Sequence, residues 1–386
     1  MRQPLSHVRR LIAILPFLAL QLTSALVIQP KLITRQLDDF ALLSSELQTP
    51  VTGIVRKHYV AIDEIEWNYS PDQWDYYHNT SISDSPAKLW TQQSTTTLGT
   101  RYRKAVYREY NDSTLNHALD IPEWQGMMGP IFRAEVGDTF EIHVTNRASK
   151  NYSIHPHGLK YEFEMEGAVY QNALYNSIAP NDTFIYRWDI PPRSGPGPQD
   201  GDSVVWGYHS HVTENDMFDG LFGAIIIYRH GHLGANGKAK SVDKEFVTTF
   251  VVMDENRSSL FKQTLQEASP TIDLSKIQAT ESSKKQFIDS NRKATINGIM
   301  FGGPKDLVIK DKEVADWHLL AWGTDFDAFT VTWSNAGSLI YNQTAEQVNL
   351  LPASFATARI SPVKSGQTEF GCNVHKSQGM VINFNI

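Results

Sequence analysis

Two histidine pairs are the residues of this sequence whose type and spacing most directly suggest chemistry. They are His155 with His157 in IHPHG, and His209 with His211 in YHSH. Residues at positions i and i+2 of a strand project from one face, so each pair can present two imidazoles side by side. Because neutral imidazole is a good ligand for copper and zinc, four converging rings could hold one metal ion or a close pair.

A single pair of this kind is more often solvated, or satisfied within a core, than functional. Two pairs in one stretch of chain, each beside aromatic residues, favour a metal site. Pro156 removes a backbone donor from its strand, which favours an edge strand or an irregular strand end. The sequence therefore predicts metal ligands at His155, His157, His209 and His211.

The only cysteine of the 386-residue chain lies in a different motif, FGCNVHKSQGM. Cys372, His375 and Met380 follow the spacing C-x2-H-x4-M, which could give a blue-copper centre its thiolate, one imidazole and its weak axial thioether. The alternative is a buried thiol beside a surface histidine and a core methionine, and the spacing alone leaves both interpretations open. A complete centre also needs a second, upstream histidine, and none lies between Leu319 and Val374.

The elements that must position these motifs are predicted to be β-strands. Seven segments alternate apolar with polar residues or are rich in β-branched and aromatic residues, with Gly, Pro, Asn and Asp between them. They are TFEIHVTN, DTFIYRWDI, LFGAIIIY, EFVTTFVVMD, DLVIKD, FTVTW and GMVINFNI. Strands at this spacing, without an alternating strand–helix rhythm, predict an all-β fold of sandwiches or barrels. Only SLFKQTLQEA and SSELQ predict helices, and both are short.

The two halves of the chain end in similar segments, WGYHSHVTENDMFDGLFGAIIIY and EFGCNVHKSQGMVINFNI. In each, a strand leads into a polar loop, then a glycine and a large apolar residue, then a final strand. This alignment matches Ser210 with Cys372, and residues 220–221 with residues 379–380. The repeat predicts one fold used twice, with different chemistry in each copy.

The first 25 residues predict a secretory signal peptide, with a basic start, an apolar run and small residues at the end. No later segment approaches 18 uninterrupted apolar residues, so no membrane span is expected. Secretion and N-glycosylation agree with the asparagine sequons at Asn68, Asn79, Asn111, Asn151, Asn181, Asn256 and Asn342.

Hydrophobic residues make up 41% of the chain, and its formal net charge is -7. This hydrophobic content is enough for two cores. Without the predicted signal peptide the chain has roughly 360 residues, which is more than one core usually serves. The negative charge, with no basic run longer than RYRK, argues against a nucleic-acid partner.

A polar passage rich in Gly and Lys, RHGHLGANGKAKSVDK, interrupts the strand pattern and predicts a domain boundary. We therefore expect an N-terminal extension over residues 26–56, a first domain with the four histidines over 57–232, a linker over 233–243, and a second domain over 244–386.

Several segments resemble the paired cupredoxin domains of the multicopper oxidase superfamily, of the ceruloplasmin and hephaestin type, and the related A domains of blood-coagulation cofactors. They are YSIHPHGLKYEFEMEGAVY, YHSHVTENDMFDGLFGAIIIY, FVVMDEN and INGIMFG. The likeness extends from about residue 58 to the C-terminus. It implies two tandem cupredoxin-like Greek-key β-barrels with few short helices.

In that superfamily a type 1 copper takes electrons from the substrate, and a Cys–His path passes them to a trinuclear copper cluster that reduces dioxygen to water. The resemblance gives the four histidines the positions of half a trinuclear cluster. It gives Cys372, His375 and Met380 type 1 positions, with Cys372 and His375 as the catalytic pair on the electron path. Copper is the implied cofactor.

Two departures from the superfamily pattern matter. The upstream type 1 histidine is replaced by Phe329 in GTDFDAF, and His318 in ADWHLLAW is expected to lie too far away to substitute for it. The second half of the trinuclear ligands is missing, since the second domain offers only TWSNAG and GCN. A homo-oligomer remains open, although a homotrimer would not restore ligands that every copy lacks.

Three functions therefore remain open. The first is a secreted copper-dependent oxidoreductase that oxidises a phenolic or small-metabolite donor, or ferrous iron, with dioxygen as acceptor. The second is a copper-binding protein without turnover, and the third is a secreted binding or assembly protein with relict motifs. Four acidic residues near the histidines could supply protons, although ordinary surface solvation is the simpler expectation for them. They are Glu164, Glu166, Glu214 and Asp216.

Overall fold

The computed structural model describes residues 53–170, 176–302, 307–323, 327–334, 336–340, 343–362 and 366–385. The predicted signal peptide, the helix predicted at SSELQ and the sequon at Asn342 lie outside the described residues. Within them, no helix is both long and apolar enough to cross a bilayer.

Two four-stranded sheets pack face to face in the first half of the chain. The strands are β1 (Val55–Asn68), β2 (Trp74–Asp75), β3 (Thr80–Ser81), β4 (Gln93–Ser94), β5 (Thr97–Leu98), β6 (Arg101–Tyr110), β7 (Ile131–Glu135), β8 (Thr139–Asn146), β9 (His155–Pro156), β10 (Thr183–Asp189), β11 (Ser203–His209) and β12 (Phe222–Tyr228). The sheet orders are β10-β8-β1-β6 and β7-β12-β11-β9, and β2-β3 and β4-β5 are small two-stranded sheets. Fully buried aromatic side chains, including Phe132, Phe140 and Trp188, fill the space between the large sheets.

A six-stranded and a four-stranded sheet enclose a separate core in the second half. The strands are β13 (Lys244–Asp254), β14 (Arg292–Ile296), β15 (Ala315–Ala321), β16 (Phe329–Trp333), β17 (Ala336–Ile340), β18 (Gln343–Ala345), β19 (Val348–Leu350), β20 (Ser354–Pro362), β21 (Gln367–Cys372) and β22 (Val381–Asn385). The sheet orders are β14-β13-β15-β20-β17-β18 and β19-β16-β21-β22. Trp317 and Phe370, whose ring centres are 4.3 Å apart, lie in this core.

The two halves repeat one topology, as the sequence repeat predicts. The order β10-β8-β1-β6 recurs as β20-β15-β13-β14, with the same parallel pair at its centre. The loop hydrogen bonds recur as well: Ser210 donates its N–H to the Leu221 carbonyl at 3.1 Å, and Cys372 donates to the Met380 carbonyl at 3.0 Å. Both loops end at a glycine with positive φ. The predicted all-β, cupredoxin-like fold is confirmed.

A third apolar cluster joins the halves. It contains Tyr102 and Phe218 from the first half and Val247 and Trp322 from the second half. Across this contact Lys104 Nζ lies 2.6 Å from the Glu255 carboxylate, and both side chains are completely buried. The large sheets fall on either side of the predicted linker, and the domain boundaries themselves stay a prediction.

The helices of the described residues are short. The first half contains α1 (Lys88–Thr91) and α2 (Asp216–Asp219). The second half contains α3 (Phe261–Glu267), α4 (Leu274–Gln278) and α5 (Glu281–Ser290), which is more helix than the sequence pattern predicts. The helix predicted at SLFKQTLQEA corresponds to α3. Helix α5, which the pattern missed, begins with a capping box between Thr280 and Ser283.

The strand predicted at DLVIKD is wrong for the described part of that segment. Residues 307–311 form no strand there, and only Val308 makes a single bridge. Leu307 and Ile309 are nonetheless buried in the second core. The apolar alternation therefore reflects side-chain burial by an irregular segment rather than strand pairing.

Candidate metal centre

The two histidine pairs lie at the ends of paired strands in the first half. Strand β9 is the edge of its sheet, and His155 faces His209 across the antiparallel pair β9–β11. An edge tolerates Pro156, which lacks a backbone donor, as the sequence predicts. Beyond the strand, His157 donates its backbone N–H to the Gly207 carbonyl at 2.9 Å. The edge pairing therefore brings both histidine pairs to one corner of the sheet.

All four imidazoles meet at this corner. The ring centre of His155 lies 5.3 Å from that of His157, 5.6 Å from that of His209 and 5.1 Å from that of His211. His157 and His209 stack at 5.3 Å. One possible ligand atom from each of His155, His157 and His209 falls within 4.8 Å of the others. We call these four residues the four-histidine cluster.

Backbone carbonyls orient two of the rings. His155 Nδ1 lies 2.7 Å from the Glu166 carbonyl oxygen, and His209 Nδ1 lies 2.8 Å from the Ser210 carbonyl oxygen. A carbonyl only accepts, so each Nδ1 carries the proton and each Nε2 keeps its lone pair. His157 Nε2 is buried and has no hydrogen-bond partner within the described residues. This donor set fits a metal ion that binds nitrogen ligands.

The cluster is electrically neutral at neutral pH where it is buried. Burial, together with the smaller effect of neighbouring imidazoles, lowers the pKa of His157 to about 4 and that of His209 to about 3. Burial also lowers the pKa of His155. Neutral imidazole is the form that binds metal, so protons need not leave these three rings first.

Aromatic side chains from the second half form a wall on one side of the cluster. Trp322 lies 5.1 Å from His209 and 5.6 Å from His157 between ring centres, and Phe355 lies 5.5 Å from His157. Trp322 and Phe355 also contact each other at 5.4 Å. We call these two residues the aromatic wall. His211, in contrast, is exposed to solvent.

The C-terminal motif folds into a single tight loop. Cys372 accepts a hydrogen bond from His375 N–H at 3.0 Å, and His375 accepts one from Met380 N–H at 3.2 Å, both through backbone carbonyls. Cys372 and Met380 are completely buried, and burial raises the pKa of the thiol. The ring of Phe329 lies 5.9 Å from that of His375. The loop therefore brings the three predicted type 1 residues together beside a phenylalanine.

Known proteins resemble this chain in both sequence and fold. A family described as Multicopper oxidase matches residues 124–232. Hephaestin from Mus musculus is 33% identical over 351 residues, which cover 88% of this chain and 30% of hephaestin. The chain belongs to the multicopper oxidase superfamily.

Other relatives agree with this assignment. Ferroxidase HEPHL1 from Homo sapiens is 31% identical over 347 residues (87% of this chain, 30% of the relative), and ceruloplasmin from Homo sapiens is 31% identical over 335 residues (82% and 31%). The chain thus spans about 30% of the length of these relatives. The fold also matches a solved multicopper oxidase, with a TM-score of 0.54, 15% identity, and coverage of 86% of this chain and 88% of that one.

Copper is the cofactor of the multicopper oxidase superfamily, which confirms the cofactor predicted from the sequence. The roles of individual residues as copper ligands stay predictions. The four-histidine cluster fits a copper ion by its donor atoms, their protonation and the unpartnered His157 Nε2.

At the predicted type 1 position, Phe329 replaces the upstream histidine in the sequence. Phe329 is 1% exposed, and its ring packs beside that of His375. His318 does not replace it. Trp317 packs against Phe370 in the core, so its neighbour His318 lies on the opposite face of β15, with Nδ1 2.9 Å from the Thr357 hydroxyl.

The acidic residues near the histidines of this chain differ from one another in their surroundings. Glu164 is exposed, and Glu214 is exposed and pairs with Arg257 at 2.8 Å. Asp216 is buried, which corrects the expectation of simple surface solvation, and burial raises its pKa. Its carboxylate accepts the Ser210 hydroxyl at 2.6 Å, so it fixes the loop between His209 and His211.

Sequence reasoning missed the aromatic wall and the role of the Glu166 backbone. Trp322 and Phe355 lie in no motif and reach the cluster only through packing between the halves. Glu166 acts through its carbonyl oxygen rather than its side chain. A backbone contact of this kind leaves no signal in residue type.

Proposed function

We propose that this protein is a copper-dependent oxidoreductase whose metal centre is the four-histidine cluster and whose electron acceptor is dioxygen. The observation that carries the proposal is the convergence of ligand atoms from His155, His157 and His209 within 4.8 Å. Copper held by these nitrogens would supply one-electron redox chemistry toward dioxygen.

The histidine rings of this site are already oriented for metal binding. Carbonyl oxygens fix the rings of His155 and His209 with Nε2 free. The aromatic wall covers the cluster on the side of His157 and His209, and the exposed His211 leaves another side accessible to a small reactant. Rings that are held in place before binding lose less freedom when metal binds.

Electrons could enter at the C-terminal loop through Cys372 and His375. A chain of packed groups connects that loop with the cluster. Phe329 contacts His375 at 5.9 Å and Phe250 at 6.2 Å between ring centres, and the Phe250 carbonyl accepts the Trp322 backbone N–H at 2.9 Å. Trp322 then contacts His209. This series of contacts supports an atypical electron path between the C-terminal loop and the four-histidine cluster.

The donor that we propose is a small reductant: a phenol, a small metabolite or ferrous iron. A relative described as a ferroxidase favours ferrous iron as the first donor to test. We further propose that the protein is secreted and carries N-linked glycans at exposed sequons in turns. The best placed are Asn79, Asn111 and Asn181, whereas the Asn256 side-chain amide already donates to Asp254 at 2.7 Å.

A second candidate is a copper-binding protein without turnover. Phe329 beside His375 favours it, because phenylalanine cannot ligate copper at the position where electrons would enter. The binding or assembly role is the third candidate, and it requires no metal.

Oxygen consumption by the copper-loaded, full-length protein tests the proposal. Ferrous ion and a phenol are offered separately, and copper is counted in the same sample by elemental analysis and electron paramagnetic resonance. Donor-dependent oxygen uptake supports the oxidoreductase. Stoichiometric copper without uptake supports the second candidate, and absence of bound copper overturns both.

A further inference from the structure

A small cavity between the two halves is lined mainly by aromatic and other apolar side chains. Trp74, Tyr76 and Trp124 line it from the first half, and Met300 and Ile382 are among the residues that line it from the second half. None of the described lining residues belongs to the four-histidine cluster or to the three predicted type 1 residues. The cavity is therefore distinct from both predicted metal sites.

Hydrogen bonds between the halves hold two of these aromatic residues in place. Tyr76 donates its backbone N–H to the Phe301 carbonyl at 3.2 Å, and the Tyr76 carbonyl accepts the Asn383 side-chain amide at 3.0 Å. The Trp124 carbonyl accepts the Asn297 side-chain amide at 2.8 Å. A cavity whose walls are fixed in this way needs little ordering when a ligand binds.

Two carboxylates give the lining a negative charge. Asp72 and Glu123 belong to the lining and are exposed, so they lie on its solvent side. The Tyr76 hydroxyl donates to Asp72 Oδ2 at 3.2 Å. No lysine, arginine or histidine occurs among the described lining residues. A cationic ligand would therefore be attracted by the lining and repelled by none of these side chains.

The lining favours a cation that has given up its water easily. Aromatic rings attract cations through their negative faces, and the carboxylates add direct charge attraction. A strongly hydrated metal ion or a primary ammonium group would lose hydrogen bonds to water that apolar side chains cannot replace. A quaternary ammonium group has no N–H donors and spreads its charge over methyl groups, so it loses much less.

The size of the cavity points to a compact group. Its volume is about 50 Å³, and one water molecule needs roughly 10–15 Å³ of such space. The cavity therefore has room for a headgroup of a few heavy atoms, while the rest of the ligand stays on the side of Asp72 and Glu123.

We propose that this cavity binds the quaternary ammonium group of a small molecule between Trp74, Tyr76 and Trp124. The site holds its ligand without changing it chemically, and it does not depend on the proposed oxidoreductase activity. Free choline and the headgroup of phosphatidylcholine share this chemistry, so each source needs its own measurement.

Titration of the copper-free, full-length protein labelled with 15N-tryptophan tests the site. Choline is compared with 3,3-dimethylbutan-1-ol, which has the same shape without the charge, and the indole N–H resonances report binding. We expect choline to bind on the order of tenfold more tightly than the neutral alcohol. Equal affinity for both compounds, or no response to choline, overturns the proposal.

Two substitutions assign the binding to this cavity. Trp74→Leu and Asp72→Asn should each weaken choline binding severalfold, because they remove an aromatic ring and a charge from the lining. Tyr77→Leu and Asp84→Asn are matched controls, since both residues are exposed and neither lines the cavity. Unchanged choline affinity in both cavity variants overturns the assignment. The comparison of choline with the alcohol uses the wild type, so it decides the question even if a variant does not fold.

Cosedimentation with phosphatidylcholine vesicles distinguishes the two sources of the headgroup. Retention on vesicles that added choline displaces would place the ligand on a lipid. Choline binding without retention would place it on a free small molecule. Both results support the cavity as a quaternary ammonium site.

Discussion

His157 and His209 stack with their ring centres 5.3 Å apart and their planes inclined by 28°, although 52 positions separate them in the chain. Both rings are neutral at neutral pH and face one point together with His155. The strand pairing that joins β9 to β11 creates this contact before any metal binds. The stacked pair is therefore the most direct target for testing copper binding.

We expect His157→Ala combined with His209→Ala to abolish most copper binding, because the change removes two of three converging ligands. Copper is measured by elemental analysis after dialysis against a weak chelator. His230→Ala combined with His232→Ala is the matched control, since this pair has the same spacing in HGH but lies outside the cluster. Equal copper content in the cluster variant and the wild type would disprove the ligand assignment.

The presence of phenylalanine at position 329 leads to a prediction about the visible absorption of the copper-loaded protein. With a phenylalanine beside His375, the copper-loaded wild type should lack an intense blue band. We expect Phe329→His to introduce such a band, because it adds an imidazole facing the loop of Cys372 and Met380. Absorption spectroscopy measures the band. Cys372→Ser in the Phe329→His background should remove it, and an intense band in the wild type would show that another ligand completes the centre.

The internal repeat made much of the two motif loops predictable. Alignment of Ser210 with Cys372 predicts equivalent loops, and equivalent backbone hydrogen bonds join them to Leu221 and Met380. Period-two alternation also predicted most of the main strands, because each buries one face. The same alternation failed at residues 307–311, where burial occurs without strand pairing.

Contacts between the halves could not be predicted from the sequence. Trp322 is an unremarkable aromatic residue at the end of a strand until packing places it against His209. No sequence motif marks Lys104 or Glu255 either, and only the packed structure shows them paired and buried. The alternation of apolar and polar residues predicts which face of a strand is buried. The burial of Trp322, Lys104 and Glu255 instead depends on how the two halves pack against each other.

Acid should destabilise the metal-free protein in a defined pH range. The folded-state pKa values of His157 and His209 are lowered to about 4 and about 3, so below the ordinary histidine pKa of roughly 6.5 the unfolded chain binds more protons than the folded chain. The free energy of unfolding should therefore fall as pH decreases from about 6.5 toward 4.

Urea unfolding at several pH values measures this effect. The His157→Ala and His209→Ala double variant should show a shallower decrease over the same range, because it lacks both groups. Equal slopes in the cluster variant and the wild type would contradict the lowered pKa values.

The buried Lys104–Glu255 pair should stabilise the contact between the halves. Lys104 Nζ donates to the Glu255 carboxylate and to the Phe218 carbonyl, each at 2.6 Å, and the Tyr69 hydroxyl also donates to Glu255. Lys104→Met would leave a buried carboxylate without its cation, which costs about 3–5 kcal/mol. Lys104→Met combined with Glu255→Leu should recover a large part of that loss, because it leaves no unpaired charge.

Urea unfolding measures the stability of both variants. The exposed pair Arg101 and Glu66 is the control, for which Arg101→Met should cost at most about 1 kcal/mol. If Lys104→Met costs no more than Arg101→Met, the buried pair does not stabilise this contact.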